Sequence, residues 1–122
     1  MSEKYYYLHK KMKVKELKIE VSEMKEWTKP YDEIVCPKGK RLIKFSELMF
    51  IWENEKYRKI LFKEYLENPS WILIWCEQLW NDKLKNRSRW LSLGRDLVLG
   101  SNWCSLDNSD SDGRVVFVKE LK

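Results

Sequence analysis

The 122-residue chain contains no alanine, one histidine (His9), three cysteines, four glycines and three prolines. Alanine is the strongest helix former, so its absence argues against a helical bundle and toward a mixed or mostly β fold. The cysteines (Cys36, Cys76, Cys104) lie far apart with no C-x-x-C pair. With a lone His, they leave too few clustered ligands for a structural zinc site, and no metal or cofactor is expected. His9 also has no partners nearby in sequence for a Ser-His-Asp or Cys-His arrangement. Gly94 and Gly100 do not build a phosphate loop, and no dinucleotide fingerprint is present. The longest apolar run, Trp71 to Trp80, includes Glu77 and is far short of the roughly 20 residues of a membrane span. An odd cysteine count without a signal-peptide pattern favours reduced thiols and a cytoplasmic location. A Cys36–Cys76 disulfide stays open as an alternative.

Aromatics and charge are plentiful: seven Trp, six Tyr, four Phe, and a formal net charge of +5. The length suits one domain over 1–122, with a core large enough to need no staples. Lysine crowds the first half, which raises nucleic-acid binding through Lys11, Lys13, Lys38, Lys40 and Arg41 as an alternative function. Glu16, Glu20, Glu23 and Glu26 dilute that run, and a solvated strand face explains it equally well. Glu53 and Glu55 read as solvated helix residues rather than an acid–base pair.

Residues 1–11 read as a polar or frayed start. Leu17, Ile19 and Val21 alternate with Lys18 and Glu20 and predict a half-buried strand over Val14–Val21. Pro37 and Gly39 mark a turn. Ser46 offers a helix N-cap with Glu47 in the first turn. Leu48, Ile51 and Trp52 then share a face, and Asn54 interrupts before a second helix over about Glu55–Leu66, ended by Pro69. Trp71–Trp75 predicts a central strand, with Trp71 and Trp75 both in the core. Asn81–Ser88 reads as a polar connector. Short strands follow at Ser88–Leu93 and Asp96–Leu99 around a turn at Gly94-Arg95, a loop starts at Gly100-Ser101, and Arg114–Val118 is an internal strand. Strand, two helices, then several strands predict an α+β fold: two helices packed on a twisted, mostly antiparallel sheet.

The segment Arg89–Val118 carries the functional signal. An apolar skeleton (Leu91, Leu93, Leu97, Leu99, Trp103, Leu106) is interleaved with Ser, Gly, Asp, Asn, Arg and Cys. Recognition loops have this composition, because small polar residues adapt their hydrogen bonds while Trp and Arg anchor. Trp103, inside the polar run, is the best exposed anchor, and Cys104 is the thiol to test for reactivity. Asn108–Gly113 begins like an EF-hand loop, but Lys119 stands where the bidentate Glu belongs and a strand follows, so an acidic turn is the simpler reading. A lectin-style calcium site from Asp107, Asp110 and Asp112 is the alternative.

Cys36-Pro37-Lys38-Gly39-Lys40-Arg41-Leu42, followed by Phe45-Ser46-Glu47-Leu48, resembles the entry motif of C-type-lectin-fold domains of the formylglycine-generating-enzyme-like type. A Trp-rich strand and a Gly-led terminal strand follow in the same order, so the resemblance spans roughly Ile34–Val118. The chain departs from the pattern at Lys40, where an aromatic is common, and at Ile43, where Pro is usual. The two active-site cysteines of the oxidase branch have no counterparts, which argues against that enzyme activity. The resemblance implies a C-type-lectin-like fold and points to variable proteins of diversity-generating retroelements, whose C-terminal residues are drawn from those that mutated adenine-containing codons encode. It implies a variable region over 89–118. Its ligand-binding positions are Ser92, Gly94, Arg95, Asp96, Ser101, Asn102, Trp103, Ser105, Asp107 and Asn108, and the partner is a protein or other macromolecule without membrane insertion.

Overall fold

The computed structural model describes residues 11–122. The expectations for the start of the chain, His9 included, lie outside the described residues apart from Lys11. Met12 and Val14 are buried while Lys11 and Lys13 are exposed, so strand β1 (Lys11–Val14) keeps the period of two of a half-buried strand. The expected single strand is in fact a hairpin. Lys15–Leu17 forms a 3-10 turn, Lys18 takes a left-handed φ of 53°, and the chain reverses into β2 (Ile19–Ser22).

Strand β3 (Lys25–Glu26), a 3-10 turn at Tyr31–Glu33 and β4 (Arg41–Leu42) precede helix α1 (Phe45–Glu53). This helix starts one residue before the expected cap. Its N-cap is Lys44, whose backbone N–H donates to Glu47 Oε1 at 2.9 Å, the reciprocal half of a capping box. Asn54 does interrupt: its side chain accepts from the N–H groups of Lys56 and Tyr57 and starts α2 (Glu55–Leu61). The predicted second helix breaks again at Phe62, giving a short α3 (Lys63–Glu67).

Strand β5 (Ile72–Cys76) is buried at every position. Trp71 falls just outside it and is exposed, which corrects its assignment to the core. The expected connector after it holds a fourth helix, α4 (Trp80–Leu84). Then come β6 (Arg87–Leu93) and β7 (Leu99–Ser105), joined by the turn 94–98. The second strand of this hairpin therefore lies later than expected. Leu97 leaves the apolar skeleton and lies with Val98 in an exposed turn, where Leu97 has φ 65°. The final apolar run divides at Val116 into β8 (Gly113–Val115) and β9 (Phe117–Glu120).

The fold is α+β. Among the described residues there are four α-helices and two sheets rather than two helices on one sheet. The four-stranded sheet has the order β1-β2-β9-β4 and is antiparallel. The five-stranded sheet has the order β3-β8-β5-β6-β7, with β5 and β8 parallel. Successive side chains of β5 feed two cores. Ile72, Ile74 and Cys76 join the main cluster with Val21, Leu48, Ile51 and Val118. Leu73 and Trp75 join a second with Leu42, Val115 and Phe117, covered by Trp27, Tyr31 and Ile34. Both faces of the five-stranded sheet are therefore packed at its centre, while β7 forms one exposed edge. Among the described residues no helix is long and apolar enough to cross a membrane.

Candidate functional site

Strand β7 is an edge strand with seven residues, about 20 Å long, and its outer backbone groups face away from the sheet. Ser101, Asn102, Trp103 and Ser105 are exposed along it. At one end the turn holds Gly94, Arg95 and Asp96: Asp96 Oδ1 accepts from Val98 N–H at 3.2 Å, and the Gly94 carbonyl accepts from the Tyr65 hydroxyl. Arg95 and Asp96 are exposed there, and Gly94 is half-buried. At the other end Asp107 and Asn108 are exposed on a loop stapled to the Tyr31 turn, through Tyr31 N–H to Asn108 O (3.1 Å) and Asp32 N–H to Leu106 O (3.0 Å). Ser105 Oγ donates to Asp107 Oδ1 at 2.7 Å. Nine of the ten candidate residues thus follow one edge as a narrow stripe, not a pocket.

Ser92 is the correction. It is only 4 % exposed, on the second face of the five-stranded sheet opposite Gly100. A Cβ at Gly100 would come within 2.9 Å of Ser92 Oγ, so the pair is a tight packing contact and not a ligand surface.

Trp103 is 40 % exposed, and its support was not visible in the sequence. Its indole Nε1 donates to Asp82 Oδ1 at 2.8 Å. Asp82 is fully buried on α4, and Arg87 Nε donates to the same oxygen at 3.3 Å. Asp82 Oδ2 accepts from Leu79 N–H at 3.1 Å and lies 3.8 Å from Arg89 Nε. Both guanidinium groups also pack on the Trp103 ring, at 4.4 Å (Arg87) and 4.8 Å (Arg89) from its centroid. One buried carboxylate therefore caps a helix, pairs with two cations and fixes the exposed indole. The available signal was the position of Asp82 three residues after Leu79, where a capping carboxylate closes back on the chain.

A cleft of about 460 Å³ lies beside the stapled loop, lined by Tyr31, Ile34, Cys36, Leu42, Glu77 and Leu106 among others. Burial raises the Tyr31 hydroxyl well above its ordinary range, and the hydroxyl donates to the Cys76 carbonyl at 3.1 Å. All three thiols are free, so the Cys36–Cys76 disulfide does not form. Cys36 is exposed, Cys76 is buried in the main core, and Cys104 is half-buried, with its sulfur accepting from Trp90 Nε1 at 2.9 Å. Burial pushes the Cys76 thiol up to about 12.

Two basic residues of the nucleic-acid alternative, Lys13 and Arg41, do not share a face. Lys13 pairs across from Glu20, which pairs with Lys119, whereas Arg41 pairs with Val118 and so lies on the opposite face of the four-stranded sheet. Arg41 is also engaged by Glu47 through two hydrogen bonds, at 2.9 and 2.8 Å. The calcium alternative meets a similar obstacle. Asp110 Oδ1 accepts from Asp112 N–H at 2.8 Å, and among the described residues no three His, Cys, Asp or Glu side chains gather to hold a metal. Comparison with family models, with curated proteins and with solved structures finds no match for this chain.

Proposed function

We propose that this chain is a ligand-binding module with a C-type-lectin-like fold, whose β6–β7 hairpin and following loop form a diversifiable recognition surface. Variable proteins of diversity-generating retroelements use such surfaces, and the ligand would be a protein or another macromolecule. The observation that carries the reading is the division of labour along the edge. Eight of the ten candidate residues are exposed, while Leu91 and Leu93 on the paired strand β6 are fully buried. Rigid scaffolds that present tolerant loops have this arrangement. A 20 Å stripe also suits a macromolecular partner better than a small molecule, which a concave site would enclose. Free thiols suit a reducing compartment such as the cytoplasm.

Sequencing the locus across its source population tests the reading. Substitutions confined to the codons of Arg95, Asp96, Ser101, Asn102, Ser105, Asp107 and Asn108, beside a reverse transcriptase gene and an adenine-differing template repeat, are expected. Invariant codons at these positions would refute the diversified surface. In parallel, Asn102→Ala and Asp107→Ala should each change stability by no more than about 0.5 kcal/mol, as exposed positions do.

A further inference from the structure

Helix α4 carries apolar side chains that the fold leaves uncovered. Trp80 is 73 % exposed and Leu84 67 %, and their i, i+4 spacing puts both on one helix face. Leu79, just before the helix, and Trp103, tied to its inner side through Asp82, are each 40 % exposed. These are four of the eight exposed large hydrophobics among the described residues; Trp80 and Leu84 share the outer face of α4, with Leu79 beside it and Trp103 on the inner side. The segment that carries α4 is basic, although Glu77 precedes it and lines a cleft together with Lys83. From Gln78 to Ser92 the chain carries Lys83, Lys85, Arg87 and Arg89, and its single acid, Asp82, is buried and already paired.

We propose that α4 and its flanks form a docking site for anionic bilayer surfaces, with Trp80 and Leu84 entering the headgroup–acyl boundary. Lys83, Lys85 and Arg87 would meet the lipid phosphates and carboxylates. Trp and Leu above a basic margin is the side-chain chemistry of interfacial anchoring, which needs no spanning helix. The exposed apolar area of Leu79, Trp80 and Leu84 is on the order of 350 Å², against about 800 Å² per partner in a stable protein–protein interface. A bilayer needs no matching surface, so this area suffices there but falls short for a second copy of the chain. Single-stranded nucleic acid would use the two Trp rings and the bases but gains little from Leu79 and Leu84. The site's anchors Trp80 and Leu84 are not among the recognition positions; only Trp103 borders both, so vesicle binding that depends on Trp80 and Leu84 is tested apart from the recognition reading.

Co-sedimentation of the full chain with vesicles of phosphatidylcholine alone, and of phosphatidylcholine mixed with phosphatidylserine, tests the proposal. Binding to the mixed vesicles and at least about tenfold weaker binding to the neutral ones are expected, with strong loss at about 0.5 M salt, where the Debye length is near 4 Å. The double variant Trp80→Ala/Leu84→Ala and the double variant Lys83→Glu/Lys85→Glu should each weaken binding by about tenfold or more. The melting temperature should stay unchanged, because these side chains are exposed. Asn102→Ala should bind vesicles like the parent chain. No binding to the mixed vesicles, or binding indifferent to the Trp80/Leu84 variant, overturns the proposal. So does a Trp80-dependent dimer in sedimentation equilibrium, or a Trp80-dependent complex with a single-stranded oligonucleotide in place of vesicle binding.

Discussion

Replacing Asp82 by Asn changes almost no volume and removes one charge from the most heavily used side chain of the candidate surface. Both carboxylate oxygens are engaged: Oδ1 by Trp103 Nε1 at 2.8 Å and Arg87 Nε at 3.3 Å, Oδ2 by Leu79 N–H at 3.1 Å with Arg89 Nε at 3.8 Å. An asparagine keeps one acceptor oxygen and turns an NH₂ donor toward the other set of donors, so at least one charge-assisted bond is lost, worth about 1.5–3 kcal/mol. Two guanidinium groups also lose their counter-charge. Their side chains are 28 % and 21 % exposed, so water partly relieves them. The total should reach about 3 kcal/mol, at the low end of the 3–5 kcal/mol for breaking a fully buried ion pair. For a chain of this length each kcal/mol moves the melting temperature by roughly 4 °C, so a fall of about 12 °C is expected by calorimetry or circular dichroism. The same variant should expose the Trp103 ring, read as a red shift in fluorescence that Trp103→Phe abolishes. A fall below about 1 kcal/mol, with unchanged fluorescence, would show that Asp82 does not organise this edge.

Other expectations follow from single groups. Burial alone would raise the Glu47 carboxyl, but the two Arg41 bonds and the Lys44 N–H outweigh it and hold it below the usual carboxylate range. A depressed carboxyl contributes stability above its unfolded value, so that contribution should fade as pH drops from about 5 through the folded value. Melting curves between about pH 6 and 3 should be less steep in Arg41→Met than in the parent chain. Thiol labelling should modify exposed Cys36 first and half-buried Cys104 more slowly, with Cys76 reacting only on unfolding, because its thiol sits near 12. Gly113→Ala should prevent or severely weaken folding: the new Cβ would meet the Trp27 carbonyl oxygen at 2.2 Å, where Trp27 N–H also bonds the Gly113 carbonyl. Chemical denaturation of this variant should show a loss of several kcal/mol, beyond the 1–3 kcal/mol of ordinary overpacking.

What could be read from the sequence was the chemistry that acts locally. Trp71–Trp75 announced β5 because a strand buried on both faces reads as an unbroken apolar run. Asn54 announced a helix boundary because its side chain caps the next turn. What failed depended on contacts distant in sequence. Ser92 looks like any other small polar residue in its segment, yet it is buried because the second face of its sheet is covered by Leu42, Phe117, Trp27 and Tyr31 from both ends of the chain. Leu97 continues the apolar alternation, but the Asp96 side chain holds Val98 N–H and the chain turns instead of extending. Asp82 was hidden in a connector whose polar composition concealed a helix of five residues.

The Asp82 contacts also bear on how a tolerant edge keeps a defined shape. Ser101, Asn102 and Ser105 join the sheet through their backbone in β7, and the side-chain bonds of Asn102 (accepting from Trp103 N–H at 2.8 Å) and Ser105 (to Asp107 Oδ1 at 2.7 Å) stay local to the edge, so these side chains can change without breaking the β6–β7 ladder. Trp103 sits among them but is fixed from below, by a carboxylate that belongs to another element and that no substitution on β7 removes. An anchor held in this way loses little side-chain freedom on binding, which lowers the cost of association for any ligand that contacts it. If the edge recognises ligands, Asp82→Asn should therefore weaken all of them by a similar factor, whereas changes at Ser101, Asn102 or Ser105 should re-rank them. Titrating a panel of selected partners against both kinds of variant separates the two effects. Re-ranking by Asp82→Asn would mean that this carboxylate contacts ligands itself instead of holding their anchor.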